Sequence, residues 1–193
     1  FSTGVYENND DWRPTLKPEL MLPTTFRKGG YFTGGAGKIY HGAFDRHSDW
    51  EDYQTRLKAD PAPKGNGGVG GIRFAPLDCN DEDLQEWKIV DYGIEQLKKT
   101  HDRPFLLMLG HKAPHSFYVP ETKYEHVFDN VDVPYPASAF QLEDKPAWFQ
   151  TRLDTWHGIY GPLFDFRKVF PDRRPESVKD FAAMTRAYWG TIL

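Results

Sequence analysis

The chain has one cysteine, Cys79, among 193 residues. That excludes an internal disulfide, and no zinc-finger spacing is present. Asp78 and Asp81 beside Cys79 disfavour a thiolate, so a small loop residue fits better than a nucleophile. No apolar run approaches the roughly 20 residues of a membrane-spanning helix. Basic charge is also scarce. A net charge of -4 without an arginine-rich helix gives no electrostatic case for nucleic acid as a partner. No nucleophile motif and no acidic metal cluster can be read from the spacing of the side chains. The chain opens on Phe1 rather than methionine, which reads as a processed chain or a piece of a longer one; the missing leader then says nothing of compartment.

Aromatic residues, by contrast, are plentiful. They make up 16% of the chain, with six Trp and fourteen Phe, a composition foreign to disordered chains. Seventeen Gly and fifteen Pro predict long loops between regular elements. The length suffices to bury a core, and one domain is the default.

Residues 1–21 read as extended loop. Leu22–Lys28 predicts a short helix stopped by Gly29 and Gly30. Tyr31–Ala36 predicts a strand, with glycines where another backbone can approach closely. Residues 44–72 read as irregular. Their glycine run, residues 64–71, lacks both the Gly-Lys-Ser/Thr ending and the dinucleotide fingerprint, so a surface insertion outweighs a phosphate loop. Asp81–Lys99 predicts the best helix. Asn80 and Asp83 suit a capping box, and Trp87, Val90, Ile94 and Leu97 form a stripe expected to face the core. Phe105–Leu109 predicts a central strand buried on both faces. A last helix starts near Pro175, with Phe181, Met184, Tyr188 and Ile192 as its apolar face, and the chain stops inside that pattern. Helix, glycine and strand in this order suit an α/β layer.

The chemistry gathers at two strand ends. Lys38 and His41 follow the first strand; His111, Lys112 and His115 follow the second. Open α/β sheets bind ligands beyond the carboxyl ends of their strands. Lysine offers a point charge to an oxyanion, and histidine exchanges a proton near neutral pH. The chain must bend after Lys38 for His41 to share its site, since strand residues three apart face opposite ways. Taken singly, each of these residues also reads as ordinary solvated surface. Asp45, His47 and Asp49 could ligate a metal but lack paired spacing. Trp156 and His157, in an aromatic loop with Tyr160, read equally as a sugar platform and as loop packing.

Gly37-Lys38-Ile39-Tyr40-His41 resembles the Gly-Lys-x-x-His variant of the sulfatase motif, in its iduronate-2-sulfatase-like branch. Phe26–Thr33 resembles that family's lead-in, and Phe105–Pro120 resembles its strand and His-Lys-x-Pro-His segment. Phe74–Asp78, the helix over 81–99, the opening Ser2–Asn9 and the last helix are similar in order. The resemblance implies the central part of an alkaline-phosphatase-like α/β domain, a mixed sheet with flanking helices and long loops. On that reading residues 1–193 are a partial catalytic domain truncated at both ends. It implies sulfate ester hydrolysis through a formylglycine nucleophile with calcium as cofactor. Lys38 would clamp a sulfate oxygen and His41 would meet the hydrated aldehyde. His115 would bind the ester and protonate the leaving oxygen. Lys112 and His111 would line the same mouth.

The sequence departs from that pattern in three places. No Cys- or Ser-x-Pro-x-Arg is present, and neither the early Asp-Asp pair nor Asp-His-Gly occurs. The calcium ligands and nucleophile therefore lie outside this chain, which alone is expected to be inactive and, with a cut sheet edge, poorly soluble. The implied partner is a sulfated carbohydrate or small sulfate ester. The implied location is secreted, periplasmic or lysosomal. Oligomeric state is not legible. Two other readings stand beside this one: a phosphatase or phosphodiesterase of the same superfamily, and a non-catalytic module that binds sulfated glycans.

Overall fold

The computed structural model describes residues 3–41, 44–55, 57, 61, 68–69, 72–73, 76–115, 118–134, 143–148 and 175–193. The chain divides into two compact units, Phe1–Asp60 with Asn80–Lys112, and Pro61–Cys79 with Ala113–Leu193.

The first unit is a parallel sheet with helices. Helix α1, Leu22–Lys28, has Pro23 in its first turn and Arg27 and Lys28 in its last, where cations suit the carbonyl end. Gly29 caps it, and Gly30, at φ 86°, turns the chain into β1, Phe32–Gly37. Strand β2, Asp52–Gln54, and strand β5, Phe105–Gly110, pair with β1 in parallel, in the order β2-β1-β5. Helix α2, Gln85–Lys98, precedes β5 and packs on β1 and β5. The expected capping box is present one turn earlier. Asn80 and Asp83 cap a 3-10 turn at Asp81–Asp83, and the α-helix begins after it.

Three expectations need correction here. The stripe Trp87, Val90, Ile94 and Leu97 does not face the core; these residues are 41, 43, 40 and 63% exposed. The buried face carries Ile89, Tyr92, Gly93 and Gln96 instead. The reason is steric. Gly93 lies against Leu109, where a Cβ would come within 2.6 Å of Leu109 Cδ1, and Tyr92 Oη lies over Gly34. The face that fits the glycine-rich strand wins over the face with more apolar atoms. Strand β5 is not the buried centre of the described sheet but its end, with Phe105 39% and Leu109 37% exposed. Residues 44–72 are not wholly irregular, since β2 lies among them, as do the short antiparallel pair β3, Gly68–Val69, and β4, Ile72–Arg73. Most of the glycine run itself lies outside the described residues.

The core of this unit is Ala36, Ile89 and Tyr92, with Leu57 and Leu107 packed against it. A polar chain braces the turn after β1. Trp50 Nε1–H donates to Tyr40 Oη at 3.0 Å, Tyr40 O–H to Asp49 at 3.4 Å, and Thr24 O–H to Asp49 at 3.2 Å. Asp49 is 1% exposed, and these hydroxyls meet its buried carboxylate. Arg46 donates to the carbonyls of Arg13 and Leu16, both at 2.9 Å, and lies over the Trp12 ring. The segment Asp45–Asp49, read above as a weak metal candidate, thus holds α1 and the opening loop together.

The second unit is described by itself. Leu77 bridges the chain at Glu121 in parallel, with Leu77 N–H donating to the Pro120 carbonyl at 2.7 Å. Helix α3, Pro175–Gly190, ends three residues short of Leu193, so Ile192 lies past the helix and is 57% exposed. Tyr188 meets Tyr118 and Trp189 meets Phe128 edge to face. The Arg186 guanidinium donates to the Val131 carbonyl at 2.8 Å.

Gly37 sits at φ 79°, and a Cβ there would strike the Gly110 carbonyl oxygen. Left-handed strain and overpacking both follow from adding a methyl group. Gly37→Ala should therefore cost about 3 kcal/mol of unfolding free energy in urea denaturation. A loss below about 1 kcal/mol would contradict this packing.

Burial pushes the Tyr40 and Tyr53 hydroxyls up from 10.0 to about 12, and raises Tyr92 as well. Their neutral forms are the ones the fold accommodates. Between about pH 10 and 12 the unfolded chain has released protons that the folded chain still holds, so stability is complete below that window and falls as pH rises through it. A phenolate absorbance titration should show these tyrosines ionising late, together with unfolding. Ionisation of all ten tyrosines in the ordinary range, with the fold intact, would contradict it.

A cationic cleft at the strand ends

Strands β1 and β5 end in register, with Gly37 opposite Gly110. Past this pair the backbones stay joined, as Lys38 N–H donates to the Gly110 carbonyl at 2.7 Å. A Cβ at Gly110 would strike the Lys38 carbonyl. Only glycine allows this approach, and the approach puts the residues after both strands side by side.

Those residues open onto a cleft of about 270 Å³, lined by Gly37, Lys38, Tyr40, Asp45, Thr55, Gln85 and Lys112. Two ammonium groups against one carboxylate leave an excess of positive charge. Tyr40, Thr55 and Gln85 add neutral hydrogen-bonding groups. The volume lies just below the range of drug-sized pockets and suits a small oxyanion. Tyr53, from β2, donates to the Gly37 carbonyl at 3.3 Å and steadies the turn beneath.

Lys38 and Lys112 are thus brought together. His41 lies exposed at the end of the bends that follow Gly37 and is not among the residues lining this cleft. His111 is held elsewhere. Its Nδ1 lies 2.5 Å from Glu86 Oε2, on the first turn of α2, and Lys112 N–H donates to Glu86 Oε1 at 2.9 Å. His115 is exposed and belongs to the second unit. Trp156 and His157 lie outside the described residues.

Sequence reasoning missed Glu86, Thr55 and Gln85, and read Asp45 only as a weak metal candidate. Glu86 had a signal available, as an acidic residue in the first turn of a helix that precedes a His-Lys pair. Thr55 and Gln85 had none, because only the fold brings the end of β2 and the start of α2 to the cleft.

Among the described residues no group of three His, Cys, Asp or Glu side chains is placed to hold a metal ion. The cleft offers two ammonium groups and a single carboxylate. A hard cation needs several oxygen ligands, so these residues do not fit calcium. Also among the described residues, no helix is long and apolar enough to cross a membrane.

No protein-family profile matches the chain. A protein named Sulfatase from Formosa agariphila is 25% identical over 172 residues, covering 75% of this chain and 33% of that protein. Iduronate 2-sulfatase from Homo sapiens is 26% identical over 131 residues, covering 59% of this chain and 24% of the enzyme. The mouse enzyme matches at 27% over the same length. The chain therefore spans a third or less of the curated relatives it matches. Two kinds of observation now agree, the motifs at both strand ends and matches that cover most of the chain, and by both this chain is similar to part of the sulfatases.

Proposed function

We propose that the protein containing these residues hydrolyses sulfate esters, and that the Lys38–Lys112 cleft holds the sulfate group. The observation that carries this is that two lysines, each following one of two adjacent parallel strands, line one cleft within segments similar to the sulfatase motifs. Cationic donors help most where charge builds between sulfur and the leaving oxygen. Lys38 clamps one sulfate oxygen and Lys112 a second. By the same resemblance, His41 meets the nucleophile and His115 protonates the leaving oxygen. His111 contacts the substrate at the mouth; apart from the resemblance, Trp156 and His157, in an aromatic loop, are proposed to meet its sugar. A formylglycine outside these residues supplies the attack on sulfur. Calcium belongs to carboxylates outside this chain, so none of these roles runs through it. The substrate is a sulfated carbohydrate or a small sulfate ester, and the protein works in a secreted, periplasmic or lysosomal setting.

The test uses the product of the complete reading frame, assayed on sulfate and phosphate monoesters. Sulfate esters should be turned over faster, and Lys38→Ala should lower kcat/KM about 10² to 10³-fold, as for loss of one charge-stabilising donor. Preference for phosphate esters would assign it to phosphoryl transfer instead. Saturable binding of sulfated glycans without turnover would make it a binding module.

A further inference from the structure

We propose that Glu86 is a positioning residue that fixes the tautomer of His111 and, through the same carboxylate, the backbone at Lys112. Glu86 is the second residue of α2, and its two oxygens face two different groups at the end of β5. Oε2 lies 2.5 Å from His111 Nδ1 and Oε1 lies 2.9 Å from Lys112 N. An ionised carboxylate only accepts hydrogen bonds. Both groups that face it must therefore donate, and the proton of a neutral His111 sits on Nδ1. The lone pair is then left on Nε2.

This assigns His111 a different task from its lysine neighbours. A neutral ring with a bare Nε2 is a proton acceptor and does not donate to a sulfate oxygen. The lysines hold the anion, and His111 receives a hydrogen bond from a hydroxyl, either of water or of the alcohol part of the ester. The substrate class this favours is a polyol ester, with a free hydroxyl beside the esterified one. That last step rests on the sulfatase reading; the tautomer does not. The ring is 43% exposed, so a hydroxyl can reach it.

A bland role exists for Glu86, since an acidic side chain in the first turn stabilises any helix. Glu86→Gln separates the two. An amide has one acceptor oxygen and one donor nitrogen, whereas the carboxylate has two acceptors. With Lys112 N–H keeping the oxygen, the amide nitrogen donates to His111 Nδ1, and the ring proton moves to Nε2. Nitrogen-15 spectra of the histidine side chains, recorded on the complete protein above the imidazole titration range, read this directly. We expect Nδ1–H in the wild type and Nε2–H in Glu86→Gln. A wild-type ring protonated at Nε2, or an unchanged tautomer in the variant, overturns the proposal. The wild-type spectrum stands alone should the variant fail to fold.

The catalytic consequence has its own arm. In the complete protein, Glu86→Gln should lower kcat/KM on a polyol sulfate ester about 10 to 100-fold, as for loss of a group that orients a functional histidine. The loss should shrink in a His111→Ala background. A loss of equal size there contradicts action through His111. A wild-type protein without sulfatase activity refutes the functional reading but leaves the tautomer result standing.

Discussion

The close crossing of Gly37 and Gly110 is the constraint from which the site follows. Two strands of a parallel sheet normally diverge once their ladder ends. Here the Lys38 N–H continues the pairing to the Gly110 carbonyl at 2.7 Å, and neither glycine position has room for a Cβ. The crossing therefore holds Lys38 and the His111-Lys112 pair at neighbouring strand ends, although seventy residues of chain separate them. Lys38 and Lys112 carry like charge, so backbone geometry and not mutual attraction brings both to one cleft. A site that must receive an anionic sulfate group gains from cationic residues held in place before the anion arrives.

Around the crossing, the remaining structure is bracing. Trp50, Tyr40, Asp49 and Thr24 form one hydrogen-bonded chain beneath the turn, and Tyr53 caps the Gly37 carbonyl. Glu86 ties the start of α2 to the end of β5. Each brace joins elements distant in sequence, and each uses a polar side chain whose burial requires a partner.

Local signals were legible in the sequence. Helix α1 matches its expected bounds because proline, basic residues and a glycine pair mark it, and β1 and β5 were found to within a residue. Tertiary choices were not legible. On α2 the periodic stripe through Trp87 and Val90 had more apolar surface than the face through Ile89 and Gly93. Sequence periodicity cannot show that the glycine-rich strand takes Tyr92 against it, or that Leu109 leaves room only for Gly93. Nor could the extended run Phe105–Leu109 show its place in the sheet, since apolar character does not record how many strands lie beside it. At the site, Lys38 and Lys112 could be read as strand-end cations. The absence of His41 from their cleft could not, because it depends on how the chain bends after Gly37.

The relation to sulfatases covers most of this chain but a third or less of its relatives, so the account turns on the cleft itself. The most direct measurement is a titration of this chain with inorganic sulfate, followed through backbone amide shifts. The account predicts saturable changes centred on Lys38 and Lys112 and on the Gly37–Gly110 crossing, lost in Lys38→Ala. Changes spread over the surface without saturation, or centred elsewhere, would contradict it.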